Sequence, residues 1–154
     1  MRPEPRDLLL AAWGLSLVAT LGSLRYSGIG FLGIEGLGLP PCEMCWYQRI
    51  LMYPLTGVLA VAALKEDLRV ARLGLGLAVP GAVLAAYHSL IQFLPHLELG
   101  QCLVGSCSGV YYRVLGLTIP NQSLIAFLGI TGLLGWVLWT AQTAGSVAQT
   151  PKSP

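Results

Sequence analysis

Pro41-Cys42-Glu43-Met44-Cys45-Trp46-Tyr47-Gln48-Arg49 runs directly into the apolar stretch Ile50-Leu51-Met52-Tyr53-Pro54-Leu55-Thr56-Gly57-Val58-Leu59-Ala60-Val61-Ala62-Ala63-Leu64. Counted back to about Cys45, this run has the roughly 20 helical residues needed to cross a bilayer core. Three further stretches share the pattern: Leu8 to Leu24, Leu73 to Leu94 and Ser123 to Ala141. The expected fold is all-α: an integral membrane four-helix bundle with two cysteine-bearing loops outside the cytoplasm. The spans read as residues 8–24, 45–64, 73–94 and 123–141 of a single domain over 1–141, followed by a disordered polar tail over 142–154. Composition agrees, because only 10% of the 154 residues are charged, against about a quarter in soluble domains. The net charge of +2 and the scattered basic residues exclude a nucleic-acid partner; the surrounding lipid is the partner that composition implies.

The placement of the basic residues orients the bundle. With four spans, the N-terminus, the short connection from Lys65 to Arg72 and the C-terminus share one side, which carries Arg2, Arg6, Lys65, Arg69, Arg72 and Lys152. The other side carries Arg25, Arg49 and Arg113. The positive-inside rule then puts the termini in the cytoplasm and both long loops outside. All four cysteines fall on that outer side, where disulfides form and persist. A rival reading takes Arg2, Arg6 and the first apolar run as a signal peptide, but the small-residue cleavage pattern, at best Thr20 and Gly22, is poor.

The first loop, Arg25 to Pro41, is glycine-rich and offers no packed domain. Pro41 pre-sets the backbone for a helix start, so Cys42 and Cys45 are expected in the first turn of the second span. Residues three and four apart share a helix face, which puts Cys42, Cys45 and Arg49 on one stripe. A helix N-terminus and a nearby cation both favour the thiolate, the reactive form of cysteine. The second loop, Pro95 to Pro120, carries Cys102 and Cys107 and then Val110-Tyr111-Tyr112-Arg113-Val114-Leu115, a mixture suited to the headgroup region. Pro54 and Pro80 lie inside spans and read as structural, since kinks are tolerated in membrane helices.

Four cysteines in two close pairs leave three disulfide connectivities open. One reading has each pair cycling between dithiol and disulfide, with electrons passing between pairs through a transient cross-link. Two others are a pair of static loop staples and a four-cysteine zinc site, whose ligand spacing also fits. Arg49 separates them: a guanidinium about a turn into a membrane helix is costly, and a staple has no use for it. It is either snorkelling to the interface or a cation beside Cys45 and a bound electron acceptor. His88, about 9 Å below the outer surface at 1.5 Å per residue, is either a packed core residue or a donor to that acceptor, with Gln92 one turn away. Glu43 reads as solvated, and Trp46 and Tyr47 as interface anchors.

The motif from Pro41 to Arg49, the four spans, the second-loop cysteine pair and Ile119-Pro120-Asn121-Gln122-Ser123-Leu124-Ile125-Ala126-Phe127 entering the fourth span together resemble the disulfide bond formation protein B (DsbB) family. The resemblance runs nearly the whole length of the chain. It implies a thiol:quinone oxidoreductase in which Cys42 and Cys45 are oxidised by a membrane quinone, ubiquinone or menaquinone, with Cys45 facing it and Arg49 beside it. It implies further that Cys102 and Cys107 exchange with an extracytoplasmic thioredoxin-like thiol oxidase (DsbA/BdbD-like), Cys102 entering the mixed disulfide, and that His88 lies near the quinone. No metal is implied. Only four residues separate Cys102 from Cys107, closer than in the best-known family form and similar to the shorter BdbC-like variants. Strongly oxidising thioredoxin-like proteins lie near about −120 mV and structural disulfides below about −300 mV, a gap of about 8 kcal/mol for two electrons. A static staple therefore does not reoxidise such a partner, whereas a stronger terminal oxidant does. Vitamin K epoxide reductase-like proteins share four helices and two pairs, but with the pairs in the reverse order. A non-catalytic membrane scaffold with stapled or zinc-bound loops is the alternative outside enzymes.

Overall fold

A computed structural model of the chain describes residues 4–29, 35–39, 41–98, 107–109, 112–114 and 116–148, with the backbone alone at 114 and 144–148. The described residues form four long helices: α1 (Pro5–Tyr26), α2 (Glu43–Lys65), α3 (Leu68–Phe93) and α4 (Ile119–Ala148). Each is long and apolar enough to cross a membrane, α4 over Ile119–Thr143. A 3-10 turn, Pro95–Leu97, follows α3, and a short antiparallel pair, β1 (Arg113–Val114) and β2 (Leu117–Thr118), leads into α4. The all-α membrane bundle expected from the sequence is the observed fold.

Local chemistry sets the helix ends. Pro5 opens α1, where its missing N–H is one of the unpartnered donors anyway. Between α2 and α3, Glu66 takes a left-handed conformation with φ 51° and Asp67 caps α3 by accepting from the Arg69 backbone N–H at 2.8 Å. These two residues reverse the chain. α4 starts at Ile119 rather than Ser123, because Pro120 sits in its first turn and starts the helix instead of ending a loop. It also runs on to Ala148, past the point where a disordered tail was expected, since an established helix propagates cheaply beyond its apolar window. The remainder of that tail, 149–154, lies outside the described residues.

Side-chain pairs give the helix directions. Along α1, Ser16 and Thr20 meet Thr56 while Ser23 meets Tyr53 and Arg49, so α2 descends as α1 rises. Tyr26 donates to Gln122 at 2.7 Å between α1 and α4, and Thr118, just before α4, donates to Gln92 near the end of α3. Each helix packs mainly against two others, α1 and α3 both contacting α2 and α4, which closes an up-down-up-down square. The core is Leu9, Ala12, Met52, Leu55, Leu59, Phe127, Ile130, Leu134 and Val137 with many alanines. α1 thus supplies core residues as a bundle member. Outward faces are also apolar, with Val18, Ile50, Leu64, Val83 and Phe93 more than 60% exposed, the all-round hydrophobicity of a membrane span. Pro54 and Pro80 lie on these exposed faces, inside α2 and α3 as expected.

The first loop folds back over the end of α1. Arg25 donates to the Glu35 carbonyl, and the Leu37 and Leu39 N–H groups bond the carbonyls of Arg25 and Tyr26 at 2.9 and 2.8 Å. The backbone at Gly36 passes so close to Gly28 that a Cβ at Gly36 would sit 2.1 Å from the Gly28 carbonyl carbon, room that only glycine leaves.

Candidate active site

Cys42 is the N-cap of α2, one residue earlier than the first-turn position expected for it. Its Sγ accepts from the Cys45 backbone N–H at 3.3 Å. The i, i+3 spacing brings the two sulfurs to 2.7 Å as free thiols, so a small side-chain rotation takes them to the 2.03–2.05 Å of a disulfide. The Cys42 thiol is pushed well above the ordinary thiol range, first by its hydrogen bond with Cys45 and then by burial, against a weaker opposing pull from His88.

His88 approaches from α3 and is only 2% exposed. Its Nε2 lies 3.7 Å from Cys42 Sγ and its Nδ1 3.0 Å from the Gln48 side-chain amide. The expected helper, Gln92, accepts from the Thr118 hydroxyl at 2.7 Å through its side-chain oxygen. Gln48 was missed, although its position three residues after Cys45 puts it on the cysteine stripe and could have flagged it. Arg49 is fixed by its N–H to the Ser23 carbonyl at 3.2 Å and by the Trp46 ring, 5.4 Å from the guanidinium carbon. Trp46 thus steadies the guanidinium as well as lying exposed at the helix start.

These groups line one cavity of about 390 Å³. Cys42, Cys45, Gln48, Arg49, His88 and Gln92 form its polar end, while Leu15, Val18, Ala19 and Met52 are among its apolar walls. Cys107 of the second pair reaches the same place. Cys107 is disulfide-bonded and 1% exposed, packs with Met44 and Ile91 in a cluster that Cys42 adjoins, and also lines the cavity. Its backbone N–H donates to Glu98 at 2.7 Å, and Tyr87 donates to the Leu97 carbonyl at 3.0 Å, which ties the turn after α3 in place. A disulfide-bonded Cys107 offers no thiolate to the four-cysteine zinc site considered above. Cys102, Val110, Tyr111 and Leu115 lie outside the described residues.

Four apolar helices with two sulfur sites at one end match a known family. Residues 11–137 fit the family described as disulfide bond formation protein DsbB. The chain belongs to the DsbB family. Like other DsbB-family members, it is a multi-pass membrane protein and a disulfide-bond-forming oxidoreductase. It is 43% identical over 124 residues to disulfide bond formation protein C of Bacillus subtilis (strain 168), covering 78% of this chain and 84% of that one. It is 41% identical over 125 residues to a probable disulfide formation protein C of Bacillus cereus, covering 79% and 85%. With a probable disulfide formation protein of Metapseudomonas resinovorans the identity is 38% over 143 residues, covering 87% and 94%. These relatives bear out the shorter DsbB variant inferred from the cysteine spacing. No solved structure matches the chain.

Proposed function

We propose that this chain is a thiol:quinone oxidoreductase that reoxidises an extracytoplasmic thioredoxin-like thiol oxidase. The observation that carries the reading is the meeting of Cys45, Arg49 and His88 in one cavity that also has apolar walls, Leu15, Val18, Ala19 and Met52 among them. At about 390 Å³ it lies in the range of small-molecule sites, and its polar end and greasy sides suit a ring with carbonyls on an isoprenoid tail. A membrane quinone, ubiquinone or menaquinone, supplies when bound a sink for two electrons and two protons.

The chain's own residues do the rest. The partner's dithiol reduces the Cys102–Cys107 disulfide, the partner leaving as its disulfide. The freed Cys107 thiolate attacks Cys42 in the Cys42–Cys45 disulfide, forming a Cys42–Cys107 bond and releasing the Cys45 thiolate; the packing of Cys42 against the cluster that contains Cys107 supports this hand-over. Cys102 then attacks Cys107, restoring the loop disulfide and leaving Cys42 and Cys45 as the reduced pair. Arg49 holds positive charge beside Cys45, and both line the cavity. The proposed orientation has both termini in the cytoplasm and this end of the bundle outside.

The test is steady-state reduction of a short-chain quinone by the purified protein with a reduced thioredoxin-like partner. Cys45→Ser is expected to abolish turnover, and retained turnover in that variant sinks the scheme.

A further inference from the structure

Beyond electron transfer, the geometry points to a second ligand for the reduced site: we propose that Cys42 Sγ, Cys45 Sγ and His88 Nε2 bind one thiophilic metal ion, with zinc as the representative, and that the bound ion locks the chain out of its redox cycle. The three donor atoms all lie within 4.8 Å of one another. Zinc bonds thiolate at about 2.3 Å and imidazole at about 2.0–2.1 Å, which sets a tetrahedral S···N separation near 3.6 Å. The Cys42 Sγ to His88 Nε2 separation is 3.7 Å. The two sulfurs, at 2.7 Å, need to part to about 3.8 Å for tetrahedral sharing, a change in side-chain rotation at a helix start. Two soft sulfurs and an imidazole select zinc and its thiophilic neighbours over magnesium or calcium, which take oxygen.

The surroundings suit a metal as well as the ligands do. A metal-bound histidine donates its other ring N–H to an acceptor that fixes its orientation. Gln48, at 3.0 Å from Nδ1, supplies that acceptor by turning its amide so that Oε1 faces the ring. Two thiolates neutralise a dication, so the ion adds no net charge beside Arg49. The cavity leaves a fourth position open to a water or another small ligand. Binding releases the two thiol protons and moves no electrons.

The consequence follows from linkage. A disulfide offers no thiolates, so the ion binds only the reduced pair, and mass action holds the pair reduced by RT ln(1 + [L]/Kd). Metal occupancy therefore opposes reoxidation whatever the identity of the electron acceptor, so the binding test stands or falls separately from the quinone reading.

The full-length chain, purified in detergent, fully reduced and freed of reductant without oxygen, is titrated with zinc against a chromophoric chelator and with cobalt as an optical probe. One zinc per chain is expected, with a sulfur-to-cobalt charge-transfer band and tetrahedral cobalt absorption. The oxidised protein should bind none. The double variant Cys102→Ser/Cys107→Ser should keep the full stoichiometry. Cys42→Ser and Cys45→Ser should lose the cobalt band, and His88→Ala should weaken zinc binding at least tenfold with helical circular dichroism retained. Zinc should also protect Cys42 and Cys45 from maleimide, read by mass spectrometry in the wild-type chain, which needs no variant to fold. Absence of zinc binding by the reduced wild type, binding lost only with the second-loop cysteines, or zinc affinity unmoved in a folded His88→Ala chain would overturn the site.

Discussion

The His88 imidazole is held at both nitrogens, by Cys42 at 3.7 Å on one side and Gln48 at 3.0 Å on the other. Gln48 itself is 6% exposed, so breaking the pair leaves two buried polar groups without their partner. A buried polar group left without its partner costs about 1–3 kcal/mol. Gln48→Leu is therefore expected to lower stability by about that amount in chemical denaturation of the detergent-solubilised protein. Gln48→Glu, which keeps an acceptor for Nδ1–H, should recover part of the loss. The cysteine stripe and Arg49 were legible because helix periodicity fixes which residues share a face. The partner of His88 was not, because Gln48 and Gln92 both lie at plausible depth and only the packing of α2 on α3 chooses between them.

At the level of elements, the seam between α3 and α4 is the most exacting contact. A Cβ at Gly81 would lie 2.1 Å from Cε1 of Phe127, a ring with no exposed surface. Gly81→Ala forces that ring aside in a filled core, an overpacking cost of about 1–3 kcal/mol. Gly132→Ala in α4 meets nothing within 4 Å and is expected to be neutral or to stabilise by up to about 1 kcal/mol through helix propensity. Thermal unfolding of the two variants side by side checks the contrast. Many of the nineteen glycines fall within the spans, where small residues permit close helix approach, yet the sequence does not say which ones do so. That depends on which face each helix turns to its neighbour, and apolar residues on every face erase the amphipathic signal that would reveal it.

For the whole molecule, the ion pair between Arg6 and Glu66 at 3.9 Å joins the start of α1 to the turn between α2 and α3, so these two segments share one end of the bundle. Both side chains are more than 60% exposed, so the pair reports position more than it contributes stability. With the termini in the cytoplasm, Lys65→Cys in a background without native cysteines should react with a membrane-impermeant maleimide only after cells are permeabilised. His96→Cys, exposed at the other end, should react in intact cells. The reverse pattern would invert the proposed orientation. The relay is a whole-molecule property too. In Cys45→Ser/Cys102→Ser the two remaining thiols belong to the cluster that holds Cys42 and Cys107, so oxidation should yield an internal Cys42–Cys107 bond, identified by peptide mass mapping without reduction. Free thiols at both positions after oxidation would break the proposed hand-over.

Four apolar runs of bilayer length, basic residues gathered at one set of segments and a cysteine pair at a helix start were enough for the sequence to determine the bundle, its expected orientation and the placing of Cys42, Cys45 and Arg49 along one side of a helix start. Each of these is a local property, set by residue spacing along one helix or by the cost of placing charge in hydrocarbon. Only the tertiary structure decided that His88 meets Cys42 and Gln48, that Gln92 accepts from Thr118, that Trp46 and the Ser23 carbonyl hold Arg49, and that Cys42 adjoins the cluster containing Cys107. Those pairings join residues far apart in the chain, and their geometry depends on how apolar helices rotate against one another, which packing fixes and spacing does not.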